Sequence, residues 1–231
     1  MQAQVLEAFH PLGKDGKVRP WETPGHLDGW GMAKYTPQGP LLMTRSGGDV
    51  DREGEAYGAA SMHAIALEGA LVMVHFRKAT IGDVRPENAQ PFVHRRWLFA
   101  HNGTIMDLEK FGPKPVTEGS TDSEDFFRRW CAQGKDMDGY RGWVETVANG
   151  CRYTSLTSLL CDGEVLLACR RSSGRLFEGC PADVDPASLP SPYTLYHWTD
   201  GRSHLFCSEP LPLLGSGWRA LENGELLTIH L

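Results

Sequence analysis

Leu71-Val72-Met73-Val74-His75-Phe76-Arg77-Lys78-Ala79-Thr80 is the stretch from which the fold can be read. Its first six residues are almost continuously apolar, the pattern of a strand covered on both faces. On such a strand His75 and Arg77 sit two apart and share one face. Trp97-Leu98-Phe99-Ala100 reads as a further strand, ending at His101-Asn102-Gly103. Upstream, residues 29–35 and 41–45 read as two strands joined by Thr36-Pro37-Gln38-Gly39-Pro40, a hairpin signal. Residues 47–54 are polar and loop-like, and 57–67 carry Ala, Met and Ile at helical spacing.

Helices are expected over 122–131 and 137–148. Residues 154–161 and 164–170 then flank Asp162-Gly163, a dipeptide that favours a tight hairpin turn. Further strands are expected at 193–197, 203–208 and 225–230, and 174–192, with several Pro and Asp residues, reads as a long surface loop. Strands, then two helices, then strands point to an α+β protein with sheets face to face and helices outside, not to alternating βαβ units.

The chain has 231 residues, 41% hydrophobic and 23% charged, with a net charge of −6. That length suits one large domain over 1–231 with a sizeable core. No run of Lys or Arg is long enough to track phosphates, which argues against nucleic acid as a partner. The longest apolar run is strand-sized and the N-terminus lacks a signal-type apolar segment, which argues against a membrane span. Cysteines 131, 151, 161, 169, 180 and 207 show no CxxC or zinc-ligand spacing. They read as reduced, mostly buried thiols of a cytoplasmic protein.

Several residues have both a structural and a chemical reading. Arg77, just past a buried strand, is either a strand-end ion-pair partner or a planar fork for a carboxylate. Asn102-Gly103 is either an ordinary turn or a side-chain amide and a backbone N–H aimed at an oxyanion. Asp122 begins a helix after Thr121, with Glu124 three residues on, which is a capping box, and it is also a candidate acceptor for an ammonium group. Asp28-Gly29-Trp30-Gly31 lacks the third glycine or the Lys-Ser/Thr of nucleotide loops and reads as a turn into a strand. His75 and His101 read as buried, hydrogen-bonded histidines. Neither an HExxH pattern nor a GxSxG elbow is present, so neither a metal site nor a serine hydrolase is expected.

Taken in order, His26-Leu27-Asp28-Gly29-Trp30-Gly31, the His75–Thr80 stretch, Glu87-Asn88-Ala89-Gln90-Pro91-Phe92, Phe99-Ala100-His101-Asn102-Gly103 and Ser120-Thr121-Asp122-Ser123-Glu124 resemble the glutaminase domain of class II glutamine amidotransferases, most of all its short stand-alone members. The resemblance implies the four-layer αββα sandwich of N-terminal-nucleophile hydrolases. It implies glutamine or a γ-glutamyl compound as ligand, no cofactor and no metal. Arg77, with Thr80, would bind the α-carboxylate and Asp122 the ammonium, while Asn102 and Gly103 would form the oxyanion hole. Asp28, Trp30, Gly31, His75 and His101 would support them. An ammonia-accepting synthase would be the partner, unless the protein acts alone as an amidohydrolase.

The same resemblance calls for an N-terminal cysteine whose own α-amine is its base. This chain begins Met1-Gln2-Ala3-Gln4, and its first cysteine is Cys131. The expectation is therefore that the sequence starts late, that a Met-Cys end lies upstream, and that the first strand of the sandwich is missing and leaves an open sheet edge. The alternative is a non-catalytic glutamine- or γ-glutamyl-binding relative acting as a sensor or regulatory subunit.

Overall fold

A computed structural model describes every residue except Pro20, Lys135 and 175–190. The expected loop over 174–192 therefore lies largely outside the described residues, as does Cys180. Strand β1 (Trp30–Thr36) pairs antiparallel with β2 (Gly39–Ser46) and with β3 (Leu71–Phe76), giving the order β2-β1-β3. A second sheet runs through β4 (Phe92–His94), β5 (Trp97–Asn102), β6 (Thr157–Cys161), β7 (Val165–Cys169) and the C-terminal β11 (Leu226–His230), ordered β11-β7-β6-β5-β4. A third sheet holds β8 (Tyr196–Thr199) between β9 (His204–Cys207) and β10 (Arg219–Ala220).

Strand alternation distributes these residues between the layers. On β1, Trp30 and Met32 join Tyr57, Ala64, Leu6 and Phe76 beneath helices α1 (Gln2–Phe9) and α3 (Gly54–Ala66). Lys34, on the same face, is buried and donates its ammonium protons to the carbonyls of Ala64 and Leu67, closing the C-terminal end of α3. The opposite face of β1, with Ala33 and Tyr35, meets Leu98 and Ala100 of β5 between the sheets. The far side of β5, with Trp97 and Phe99, packs on α4 (Asp122–Ala132) and α5 (Asp138–Gly150) through Phe126, Phe127, Trp130, Tyr140 and Trp143. Helices, sheet, sheet and helices therefore stack in the expected αββα order.

The N-terminal helices, α1 and the short α2 (Leu12–Asp15), were not legible beforehand. Only Leu6 of α1 is buried, with Phe9 stacked on Phe76 at 4.8 Å, too thin an apolar stripe to read as a helix. The strand expected from residue 154 begins at Thr157, because Thr154 and Ser155 bond instead to the Thr104 and Ser172–Ser173 segments.

Among the described residues β3 pairs only with β1, and β9 only with β8. Val74, His75 and Phe76 of β3 and Phe206 and Cys207 of β9 border one cavity of about 500 Å³, with Ala100–Asn102 of β5 and Thr157–Leu159 of β6 also in its wall. No described helix is long and apolar enough to cross a membrane. The described cysteines, 131, 151, 161, 169 and 207, are all free thiols.

Candidate active site

The cavity brings together His75, Arg77, Thr80, His101, Asn102, Gly103 and Asp122. Asp28, Trp30 and Gly31 stand behind it. Trp30 is fully buried under α3 with its indole N–H on Glu53 at 2.7 Å. Gly31 sits opposite His75 on β1, where a Cβ would lie 2.5 Å from the Gln90 carbonyl. The Asp28 carboxylate accepts the Ala79 N–H at 2.8 Å, which fixes the turn after β3.

Arg77 is 4% exposed, and its guanidinium is already engaged. Nη1 donates to the carbonyls of Asp28 (3.3 Å) and Asp83 (3.1 Å), and Nη2 to those of Ile81 (2.9 Å) and Gly82 (3.0 Å). Neither a surface ion pair nor an idle fork describes it. The cationic side chain organises the 81–83 turn, and a carboxylate would have to exchange with part of that carbonyl cradle. The cradle is tied onward to α4: Asn88 donates to the Asp83 carbonyl at 2.8 Å and accepts from Ser120 N at 2.7 Å.

Asp122 is the first residue of α4, and Thr121 is the N-cap, its hydroxyl accepting from Glu124 N at 3.2 Å. The capping box is only half made. Glu124 reaches past Thr121 to the N–H groups of Glu118 and Gly119, both at 2.8 Å. The Asp122 carboxylate accepts from Ile105 N at 2.6 Å. Burial pushes its pKa up to about 6, against the pull of the surrounding N–H groups and of Arg77. A carboxylate so poorly solvated is stabilised by any cation that comes to it.

Gly103 has φ 150°, and a Cβ there would fall 2.2 Å from the Ser155 carbonyl oxygen, so only glycine fits. The neighbouring Asn102 amide makes one long contact, Nδ2 to Pro192 O at 3.5 Å. His101 is buried between Ser123 Oγ (Nδ1, 2.8 Å) and the Ser155 carbonyl (Nε2, 2.9 Å). The Ser155 contact makes Nε2 the protonated nitrogen, and burial lowers the pKa to about 4, so the ring is neutral. Gln90 grips the His101 backbone from both sides, accepting from N at 2.7 Å and donating to O at 3.0 Å. Thr80 accepts from the Thr104 hydroxyl at 2.9 Å. Gln90, Asn88, Ser123 and Thr104 carry this scaffold without a sequence signal of their own, although Asn88, Gln90 and Ser123 fall inside quoted motifs. Among the described residues no cluster of three or more His, Cys, Asp or Glu could hold a metal ion.

Comparison with known proteins places these features in a wider group. The sequence profile of the glutamine amidotransferases class-II matches residues 15–178. An uncharacterized protein of Methanocaldococcus jannaschii is 27% identical over 227 residues, covering 87% of this chain and 61% of its own length. A Haemophilus influenzae protein, named provisionally as a glutamine amidotransferase, is 34% identical over 116 residues, 44% of this chain and 35% of that protein. The chain thus spans less than two thirds of the length of these curated relatives. Among solved structures, a predicted glutamine amidotransferase from Pseudomonas aeruginosa superposes with a TM-score of 0.54 at 21% identity, over 92% of this chain and 88% of that one. The glutamine phosphoribosylpyrophosphate amidotransferase of Bacillus subtilis gives 0.63 at 17% identity, over 99% of this chain and 44% of that one. At these identities the structural likeness establishes the fold alone, the αββα sandwich described above.

Proposed function

Because this chain belongs to the class II glutamine amidotransferases, we propose that its cavity is a glutaminase site. It takes glutamine or a γ-glutamyl compound by the amino-acid head and hydrolyses the γ-amide through a cysteine thioester. The observation that carries this reading is the meeting of Arg77, Asp122, Asn102 and Gly103 in one cavity. The ammonium goes to Asp122, whose buried carboxylate lacks a cation closer than the engaged Arg77. The α-carboxylate exchanges with the Ile81 and Gly82 carbonyls on Arg77, with the Thr80 hydroxyl beside it. The γ-carbonyl oxygen is directed at the Asn102 amide and the Gly103 N–H, which stabilise the charge that develops on it. Ammonia then leaves to a synthase partner or to solvent in the cytoplasm.

The thiol is not one of the described cysteines. Cys207 borders the cavity, but burial pushes its pKa up to about 11, so almost none is thiolate at neutral pH. The reading takes the family's N-terminal cysteine as the nucleophile, and that cysteine is not among the described residues. Cys207 also supports a second reading, a binding relative that keeps the amino-acid clamp without the chemistry.

The test is intact mass and N-terminal sequence of the protein isolated from its native host, followed by ammonia release from glutamine. A product that begins with cysteine and releases ammonia is expected. A product that begins at Met1 or Gln2 and binds glutamine without turnover would establish the second reading.

A further inference from the structure

Asn88 joins the two halves of the cavity wall that would read an amino-acid head. It is fully buried and stands behind the wall, so any effect on a ligand passes through other residues. Its Nδ2 donates to the Asp83 carbonyl at 2.8 Å and to Ser120 Oγ at 3.1 Å, while Oδ1 accepts from Ser120 N at 2.7 Å. These partners fix the orientation of the amide, since a carbonyl only accepts and a backbone N–H only donates. The Asp83 carbonyl also receives Arg77 Nη1 at 3.1 Å, and Ser120 lies two residues before Asp122. A continuous path therefore runs from the Arg77 guanidinium through Asn88 to the start of α4. Glycines flank it on both sides. A Cβ on Gly119 would fall 2.2 Å from Asn88 Oδ1, and one on Gly82, where φ is 84°, would fall 2.8 Å from Ser120 Oγ. The two chain segments thus close on the amide as tightly as only glycine allows.

We propose that Asn88 is a positioning residue that holds Arg77 and Asp122 at the spacing of an α-amino-acid head and so makes the site reject β-amino acids. The inference rests on the glutaminase reading of the cavity. In an α-amino acid one carbon separates the ammonium from the carboxylate, and in a β-amino acid two. The added methylene moves one charge by about a bond length, roughly 1.5 Å. A rigid pair of receptors meets only one of those spacings with both charges paired, whereas a pair free to drift meets either. Hydrogen bonds to charged groups are strong but lose strength steeply with distance and angle, which turns a fixed spacing into selectivity.

Titration calorimetry of the whole chain tests it with L-glutamine and L-β-homoglutamine, which has the same side chain and one more carbon in its head. Wild type, Asn88→Ala and Asn88→Asp are compared. The first variant frees the 81–83 turn from α4. The second keeps the shape and the bond from Ser120 N but sets an oxygen against the Asp83 carbonyl. The expected wild-type preference for L-glutamine is about tenfold to a hundredfold, from one charged hydrogen bond made or missed. Both variants should bring the ratio to about threefold or less. A purely structural role would lower both affinities by one factor and leave the ratio at its wild-type value, which would overturn the proposal. So would a wild type that binds the two equally. Failure of wild type to bind L-glutamine would instead remove the glutaminase reading itself. Should Asn88→Ala not fold, Asn88→Asp, of unchanged shape, decides by the same ratio.

Discussion

Seating the ligand ammonium on Asp122, as proposed, predicts a glutamine affinity that depends on pH. The Asp122 carboxyl is raised from 3.8 to about 6. Between those values the folded chain holds a proton that the unfolded chain has released, so stability falls as pH rises through the window. The shift of about two units corresponds to about 3 kcal/mol of stability present below pH 4 and absent above pH 7. A ligand ammonium reverses that penalty, because it binds the ionised form and draws the pKa back down. With the free group titrating at about 6, roughly one molecule in eleven is ionised at pH 5, so the glutamine Kd should rise about tenfold between pH 7.5 and pH 5. His75 and His101, held to about 3 and about 4, stay neutral throughout. Glutamine keeps both head charges across the same range. Calorimetry at half-unit pH steps reads the effect, and Asp122→Asn should bind about 2 kcal/mol more weakly with a flat profile, as expected for losing a charge-assisted hydrogen bond. A wild-type Kd that does not change between pH 7.5 and pH 5 would refute the assignment of the ammonium to Asp122.

Three substitutions probe the scaffold. Gly103→Ala forces a Cβ to within 2.2 Å of the Ser155 carbonyl at a φ of 150°; chemical denaturation should show a loss of about 3 kcal/mol or more. Arg77→Lys offers three donors to the four carbonyls of Asp28, Ile81, Gly82 and Asp83. Its glutamine Kd should rise at least about tenfold, and the 81–83 turn should be cut faster in limited proteolysis, as expected when a buried acceptor loses its partner. Ser123→Ala leaves His101 Nδ1 without its 2.8 Å partner and should lower stability by about 1–2 kcal/mol in thermal or denaturant unfolding.

The sequence carried the layers of this fold better than its connections. Leu71–Phe76 begins and ends where its nearly continuous apolar run does, because its two faces pack into two different hydrophobic clusters. The hairpin at Asp162-Gly163 was legible in place but not in turn type. A type I′ turn was expected there, yet only Gly163 has positive φ, at 98°. The Asp162 N–H donates to the Val165 carbonyl, which centres the turn on Gly163-Glu164. The three-residue β4 and two-residue β10 were not legible, since neither is long enough to establish a period. The candidate residues stood out in the sequence as a set whose types fit one chemistry, and Arg77, Asn102, Gly103 and Asp122 do line one cavity, but their partners were not legible. Nothing in the pattern around Arg77 announces that its guanidinium is held by the carbonyls of 81–83. The reach of Glu124 past its cap to Glu118 and Gly119 is set by how the chain folds back onto α4, information that local propensity does not contain.

A crystal of the protein soaked in L-glutamine tests the central claim most directly. The account predicts the amino acid in the cavity between β3 and β9. Its ammonium should lie on Asp122, its α-carboxylate on Arg77 in place of the Ile81 and Gly82 carbonyls, and its γ-oxygen at Asn102 and Gly103. An empty cavity at saturating glutamine, or a ligand seated with its head away from Asp122 and Arg77, would contradict it.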